Sequence, residues 1–254
     1  MTEIVMERIA CELNLDPLQV RLANLDTNKY GDMNELLETL KTNSNYEERK
    51  DAVEAFNNQN MWKKRGLRFT FLSWPPAGNQ YFNVILTVYN DDGSITISHG
   101  GVEMGQGVNT RAIQACAYLL NIPVEKVRVA ASDTTKTANG FPSGGSITSQ
   151  NVVVGVKKCC EELLKRLEPI KQNMNNPTWE QLIKKAYELE TNLQVQTIIN
   201  LNDNVDYIVF GITLLEVEID VLTGEWQIIR VDLIEDCGQS VNPKLDLGQV
   251  SKYL

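Results

Sequence analysis

Apolar residues recur at helical spacing over the first 62 positions of the chain. Asp16 supplies an N-cap residue before Pro17, a proline at the first helical position. Asp32 and Ser44 stand before further runs with the same cap-plus-acid pattern. These signals predict that residues 1–62 are helical.

Beyond residue 62 the apolar pattern changes between strand spacing and helical spacing. Alternating runs predict strands, at residues 67–71, 83–89, 94–98, 126–130, 208–220 and 226–234. Two long helical runs follow the glycine-rich segments 99–107 and 143–146, and residues 178–181 have the pattern of a helix cap. Strands and helices do not alternate strictly, which favours an α+β fold, a layered mixed sheet with helices, over a doubly wound sheet. We expect residues 1–62 to form a helical lead-in and residues 63–254 a layered domain.

The two long helices open on stretches of small residues, which we call the first opening (residues 99–107) and the second opening (residues 143–148). A helix N-terminus exposes unpaired amides and attracts anions, and glycine lets a ligand approach the backbone. Two such openings can converge on one polyanionic ligand. The alternative is that both are tight turns for close packing. Neither matches a complete nucleotide-phosphate motif, so a nucleotide-binding module is disfavoured.

Composition narrows the class of protein. A net charge of −9 argues against a nucleic-acid surface, and no apolar run reaches the ~20 residues of a membrane span. The N-terminus lacks the pattern of a secretory signal. The chain has five cysteines and no CxxC pair: Cys11, Cys116, Cys159, Cys160 and Cys237. Such a set is typical of reduced thiols in a cytoplasmic protein, and it holds no iron–sulfur cluster of its own.

Two polar side chains in the first opening are candidates for chemistry. A carboxylate beside glycine amides is held ionised, so Glu103 is interpreted as an acceptor that orders the loop in preference to a catalytic base. His99, the single histidine, is interpreted as structural in preference to functional. Cys159 and Cys160 lie on the second long helix and are interpreted as core thiols, not as ligands.

The segment 100–107, Gly-Gly-Val-Glu-Met-Gly-Gln-Gly, followed by Asn-Thr-Arg, resembles the signature of the xanthine dehydrogenase/aldehyde oxidase family. The resemblance continues in order through 143–146, 216–224, 236–243 and 246–250 and covers nearly the whole chain. The resemblance implies that the chain is the second molybdopterin-binding portion of such an enzyme. It would have the fold of that domain, but only part of it.

Members of this family hydroxylate aldehydes or N-heterocycles at a molybdenum ion held by a pterin dithiolene, and electrons leave through iron–sulfur clusters to FAD. The resemblance implies contacts from two sets of residues. The set for the pterin is Met104, Gly105 and Gln106, and the set for its phosphate-bearing end is Gly145, Ser146, Ile147 and Thr148. Molybdenum would be held through the pterin, and no catalytic residue is assigned in this chain, because the family's glutamate base lies outside it.

The resemblance also implies that the chain is a fragment that does not turn over substrate alone, with FAD and iron–sulfur clusters bound elsewhere in a homodimeric parent enzyme. Residues 67–80 depart from the pattern of xanthine-specific members, which favours an aldehyde oxidase-like specificity, with xanthine dehydrogenase as the alternative. A different class of answer is a non-catalytic remnant or a module that docks on a partner.

Overall fold

The computed structural model describes residues 2–26, 33–75, 81–199, 203 and 207–251. Its helices and strands are α1 Thr2–Leu13, α2 Pro17–Ala23, α3 Asn34–Asn43, α4 Tyr46–Gln59, β1 Lys63–Trp74, β2 Phe82–Val88, β3 Ile95–His99, α5 Val108–Leu120, β4 Val127–Val129, α6 Thr148–Gln172, α7 Trp179–Glu188, β5 Gln194–Ile199, β6 Val209–Asp220, β7 Trp226–Asp236 and α8 Pro243–Ser251. The chain divides into two compact units. Unit 1 takes residues 1–75 and 207–239, and unit 2 takes residues 76–206 and 240–253.

Unit 1 is an antiparallel sheet, in the order β1-β6-β7, with helices packed on one face. The register sets Phe69 of β1 opposite Leu214 of β6, and both side chains are buried. Leu37 and Leu40 of α3 and Tyr46 of α4 complete this core. The period-two pattern of β1 therefore buries one face of the sheet under the helices.

A network of charges joins the helices of unit 1 to its sheet. Arg49 on α4 donates through Nε and Nη2 to Oε2 of Glu216, at 3.0 and 2.9 Å, and through Nη1 to Oδ2 of Asp232, at 2.6 Å. Arg65 donates through Nε to Oε2 of Glu218 at 2.9 Å. The Glu216 side chain is only 9% exposed, so removal of Arg49 would leave a nearly buried charge without its main partner and would destabilise the fold.

Unit 2 is a mixed sheet in the order β4-β3-β2-β5, covered by helices. Strands β2, β3 and β5 pair antiparallel, while β4 pairs parallel to β3 after the crossover through α5. The long helix α6 packs against β2 and β5, and α5 packs against α6. The helix faces and the inner sheet face share one core of buried aliphatic and thiol side chains.

The sequence predicted much of this local structure. The α+β layered arrangement is confirmed, as are the helical character of the described part of 1–62 and the cap of α2, where Asp16 accepts from the amides of Leu18 and Gln19. The Asp32 cap lies outside the described residues. The split between 1–62 and 63–254 stays a prediction about domains.

One cap prediction was wrong. Ser44 does not begin a helix, because α3 runs to Asn43 and Ser44 caps its C-terminus. The next helix begins after Asn45, which takes a left-handed conformation with φ 54°. Asparagine tolerates this conformation better than most residues, so the chain can reverse between two helices within two residues.

The prediction that Cys159 and Cys160 are core thiols is confirmed, and Cys116 lies in the same core. Cys116, Cys159 and Cys160 are fully buried, and Cys160 Sγ lies 3.9 Å from Cys116 Sγ. Burial raises the pKa of the Cys159 thiol to about 12. The contact with Cys116 and burial raise the pKa of Cys160 as well, so Cys159 and Cys160 stay protonated. Across the described ranges, no helix combines the length and apolarity that crossing a membrane requires.

Candidate cofactor site at two helix openings

The first opening is organised by one carboxylate. Oε1 of Glu103 accepts hydrogen bonds from the amides of Gly105 and Gly107, at 3.1 and 2.9 Å, and Oε2 accepts from the amide of Asn109 at 3.1 Å. Burial alone would raise the pKa of Glu103, but these three amides outweigh it and hold the pKa below its ordinary value. The prediction that Glu103 orders the loop is confirmed.

The bonds of Glu103 change the expectation for the first opening. We expected its free amides to attract an anionic ligand, but the amides at the start of α5 already bind the chain's own acid. The positive end of the α5 dipole is therefore satisfied internally. The loop still presents outward its backbone, the half-exposed side chains of Val102 and Met104, and the exposed Glu103.

Gln106 ties the tip of the loop together. Its Oε1 accepts from the amide of Met104 at 2.7 Å, and its Nε2 donates to the carbonyl of Val102 at 2.8 Å. Gly105 and Gly107 have φ of 96° and 76°, a left-handed backbone that glycine adopts without strain. The loop is thus a preformed structure in which the side chains of Glu103 and Gln106 fix four backbone amides, two of them from glycines.

His99 lies beneath the loop as the last residue of β3. It is fully buried, and its Nε2 lies at hydrogen-bond distance, 3.0 Å, from Oδ1 of Asn109. Burial lowers the pKa of His99, against smaller opposing effects of Asn109, the backbone of Gly101 and the charge of Glu103. A neutral buried histidine agrees with the structural interpretation.

We expect acid to destabilise the protein through His99. In the unfolded chain the histidine takes up a proton as the pH falls below its ordinary pKa of 6.5. In the folded protein its pKa is lower, so the folded state binds fewer protons, and the stability that is present above pH 6.5 is lost as the pH falls. The free energy of unfolding should fall by up to about 1.4 kcal/mol per pH unit in this window. Urea titrations between pH 5 and 7 measure the slope. The variant His99→Gln should flatten it, and an equal slope in both proteins would contradict the assignment.

The second opening presents bare backbone at the start of α6. Gly145 and Ser146 are exposed and have φ of 63° and 62°. A Cβ placed on Gly144 would meet nothing within 4 Å, so this side of the turn is open. Ile147 and Thr148 are buried, and Oγ1 of Thr148 accepts from the amide of Gly144 at 3.2 Å. A ligand here would meet backbone and the Ser146 side chain.

The two openings adjoin each other. The amide of Val102 donates to Oγ of Ser143 at 2.8 Å. A Cβ on Gly101 would lie 2.9 Å from Cγ2 of Thr148, so glycine is needed where α6 begins against the first opening. The two openings are therefore adjacent in unit 2, and a shared ligand stays a prediction. Among the described residues, no group of histidine, cysteine and acidic side chains is arranged to hold a metal ion directly.

Helix α8 contributes residues to the first opening that the sequence analysis missed. Leu245 packs on Gly107, Gln249 donates from Nε2 to the carbonyl of Gly105 at 2.9 Å, and Arg111 pairs with Asp246 at 2.6 Å. The available signal was Asn242 followed by a proline, which is an N-cap and first-position pair that starts α8. That helix turns two side chains towards the loop and one towards α5.

Comparison with known proteins gives a consistent family. A family model described as a molybdopterin cofactor-binding domain matches residues 39–251. The chain is 36% identical to xanthine dehydrogenase/oxidase of Gallus gallus and 34% identical to aldehyde oxidase 1 of Oryctolagus cuniculus. Each match covers 98% of this chain and 20% of the relative. The chain therefore spans about one fifth of the length of these curated relatives.

A solved structure supports the fold. The CO dehydrogenase from Oligotropha carboxidovorans matches with a TM-score of 0.76 at 17% identity, over 98% of this chain and 38% of that one. At this identity the likeness concerns the fold alone. The chain is about as identical in sequence to the xanthine dehydrogenase/oxidase as to the aldehyde oxidase, so sequence identity alone does not separate the two specificities.

Proposed function

Because this chain belongs to the molybdopterin cofactor-binding domain family, we propose that it binds molybdopterin where its two helix openings adjoin, as part of a molybdenum hydroxylase. The observation that carries the proposal is the 2.8 Å hydrogen bond from Val102 to Ser143, which holds two small-residue openings side by side. When bound, the cofactor supplies a molybdenum centre that accepts electrons while water supplies oxygen to an aldehyde or N-heterocycle.

The two openings suit different ends of the ligand. At the first opening Glu103 already satisfies the amides, so Met104, Gly105 and Gln106 offer neutral polar edges and a polarisable side chain, which suit a pterin ring.

At the second opening the exposed backbone of Gly145 and Ser146 precedes a helix N-terminus, which suits a phosphate group. Ile147 and Thr148 are buried, so they contribute backbone contacts and hold the turn. These residues bind and orient the ligand, and no proton transfer is assigned to them.

The proposal assigns the remaining parts of the activity to other segments. Four fifths of the length of the relatives lies outside the match, and we place the iron–sulfur clusters, FAD and the glutamate base there. The 254 residues then bind cofactor but do not turn over substrate alone. The whole enzyme would be a cytoplasmic homodimer that prefers aldehydes. The preference for aldehydes is supported by residues 67–80, which depart from the xanthine-specific pattern. Residues 76–80 lie outside the described ranges.

A non-catalytic module that docks on a partner is the second candidate. The observation in its favour is strand β7 of unit 1, where Trp226 is 67% exposed and Ile228 is 53% exposed. Large apolar side chains on an edge strand are typical of a surface that another polypeptide covers. This candidate predicts no binding of molybdopterin, which separates it from the first.

We expect Gly145→Val to lower the molybdenum content per protein at least about tenfold, because a branched side chain at φ 63° strains the turn and covers the ligand's approach. The full chain is isolated from a host that makes molybdopterin, and molybdenum and pterin are quantified. Gln106→Leu, which loses both loop hydrogen bonds, should act in the same direction.

The matched control is Gly224→Val. Gly224 is also a left-handed glycine, with φ 77°, and a Cβ there would meet nothing within 4 Å, but it lies in the β6–β7 turn of unit 1. It should keep the wild-type molybdenum content. Aldehyde oxidation assayed with an artificial acceptor should be absent in the loaded chain. A wild-type chain without pterin would favour the docking module, and normal molybdenum in Gly145→Val would show that the second opening is misassigned.

A further inference from the structure

Helix α8 contacts the first opening through Leu245, whose side chain fills the space that a Cβ on Gly107 would need. A Cβ on Gly107 would lie 2.7 Å from Cδ2 of Leu245, closer than real contacts allow. The glycine at position 107 therefore serves two purposes, a left-handed turn and room for Leu245. No other leucine of α8 does this, since Leu247 is 69% exposed.

Gly105 is held from both sides of its backbone. Glu103, within the loop, accepts from its amide at 3.1 Å, and Gln249 of α8 donates to its carbonyl at 2.9 Å. The two peptide groups flanking Gly105 are thus fixed by side chains from segments about 145 positions apart in sequence. The loop's own residues fix one side only, and α8 fixes the other.

Polar contacts anchor α8 beside the loop. Asp246 pairs with Arg111 of α5 at 2.6 Å and accepts a short hydrogen bond from Ser240. Asn242 donates from Nδ2 to Oε1 of Gln114, also on α5, at 3.0 Å. None of the residues of α8 is fully buried, so these few contacts and Leu245 account for its attachment. A single substitution should then be felt at the loop.

We propose that Leu245, Asp246 and Gln249 are positioning residues for the first opening: helix α8 holds residues 103–107 in the conformation that receives the cofactor. The identity of that cofactor rests on the proposed function. Leu245 and Gln249 touch the loop, and Asp246 ties the helix to α5 through Arg111, so their effect reaches the cofactor through the backbone of Gly105 and Gly107.

Hydrogen exchange of the full chain without cofactor tests the positioning directly. Leu245→Ala should speed exchange of the amides of residues 103–109 about tenfold, because local opening becomes easier when a supporting contact is lost. Gln249→Ala should act on the same amides. Leu247→Ala makes the same change two positions along α8, at a side chain that is 69% exposed, and should leave them unchanged. Unaltered exchange of the loop in Leu245→Ala and Gln249→Ala would overturn the proposal.

The ion pair gives a rescue that separates positioning from general stability. Arg111→Glu should speed loop exchange, and the double variant Arg111→Glu/Asp246→Arg should restore it. Exchange that rises equally in strands β2 and β3 would show that α8 supports the whole of unit 2, which also overturns the proposal.

Loaded protein supplies the second readout. Molybdopterin should leave the Leu245→Ala chain about tenfold faster than the Leu247→Ala chain, a ratio that corresponds to one decade in the dissociation constant. Equal release with a loosened loop would overturn the positioning role. A wild-type chain that never binds molybdopterin would refute the proposed function, while the exchange experiment would still decide whether α8 holds the loop.

Discussion

Arg49→Met is expected to lower the free energy of unfolding by about 3 kcal/mol, because it leaves the nearly buried carboxylate of Glu216 without its main cation. Asp232 loses one of its two cations and keeps Arg230, at 2.6 Å. The nearest remaining cation of Glu216 is Arg65, with Nη1 at 3.7 Å. Methionine keeps the volume of the arginine stem, so the loss is electrostatic and not a cavity effect. Guanidinium unfolding followed by tryptophan fluorescence measures the change.

The matched control is Arg8→Met. Arg8 pairs with Glu12 at 2.5 Å, but both side chains are largely in water, so we expect a change below about 1 kcal/mol. Arg49→Met combined with Glu216→Leu and Asp232→Leu should recover part of the loss, since an apolar replacement removes the stranded charges. A loss in Arg49→Met no larger than in Arg8→Met would show that the network does not stabilise unit 1.

Gly155→Leu is expected to destabilise unit 2 by about 3 kcal/mol. Gly155 lies in α6 where the helix crosses the sheet, and a Cβ there would be 2.5 Å from Cγ2 of Val84 and 3.2 Å from Cδ1 of Ile199. A leucine must push α6 away from β2 and β5 in a core that is closely packed. Because α6 begins at the second opening, the same variant should also lose molybdopterin. Fluorescence of Trp179, which belongs to unit 2, reports the unfolding.

Gly248→Leu is the control for Gly155→Leu. Gly248 is also a helical glycine, in α8, but a Cβ there would meet nothing within 4 Å, so the substitution should change stability by less than about 1 kcal/mol. Gly155→Ala should fall between the two, because better helix propensity offsets part of the overlap. Wild-type stability in Gly155→Leu would mean that α6 and β2 are not in the contact described.

Features that depend on neighbouring residues could be predicted from the sequence. The capping box of α7, in which Thr178 and Gln181 exchange hydrogen bonds with each other's backbone, is complete within four positions. The interpretation of Glu103 succeeded for the same reason, since the amides that it accepts lie two, four and six positions further along the chain. Local chemistry of this kind is visible in the order of the residues.

Features that depend on distant partners could not be predicted. The strand at 67–71 was expected, but its partner is β6 and not the adjacent β2, because register is set by facing side chains far away in sequence. The contact between Gln249 and Gly105 has the same character. The two openings adjoin because α5 and α6 pack together, which the resemblance implied and periodicity alone did not require.

The chain order of unit 1 has a consequence for synthesis. Its helices emerge from the ribosome first, but Arg49 must wait 167 positions for Glu216 and 183 for Asp232. The last strand of the unit 2 sheet ends at residue 199, so this sheet can form before β6 and β7 have emerged from the ribosome. Pairing over such separations is slow, and the early helices carry exposed apolar side chains in the meantime. Of the two units, nascent unit 1 is therefore the one that we expect chaperones to occupy longer.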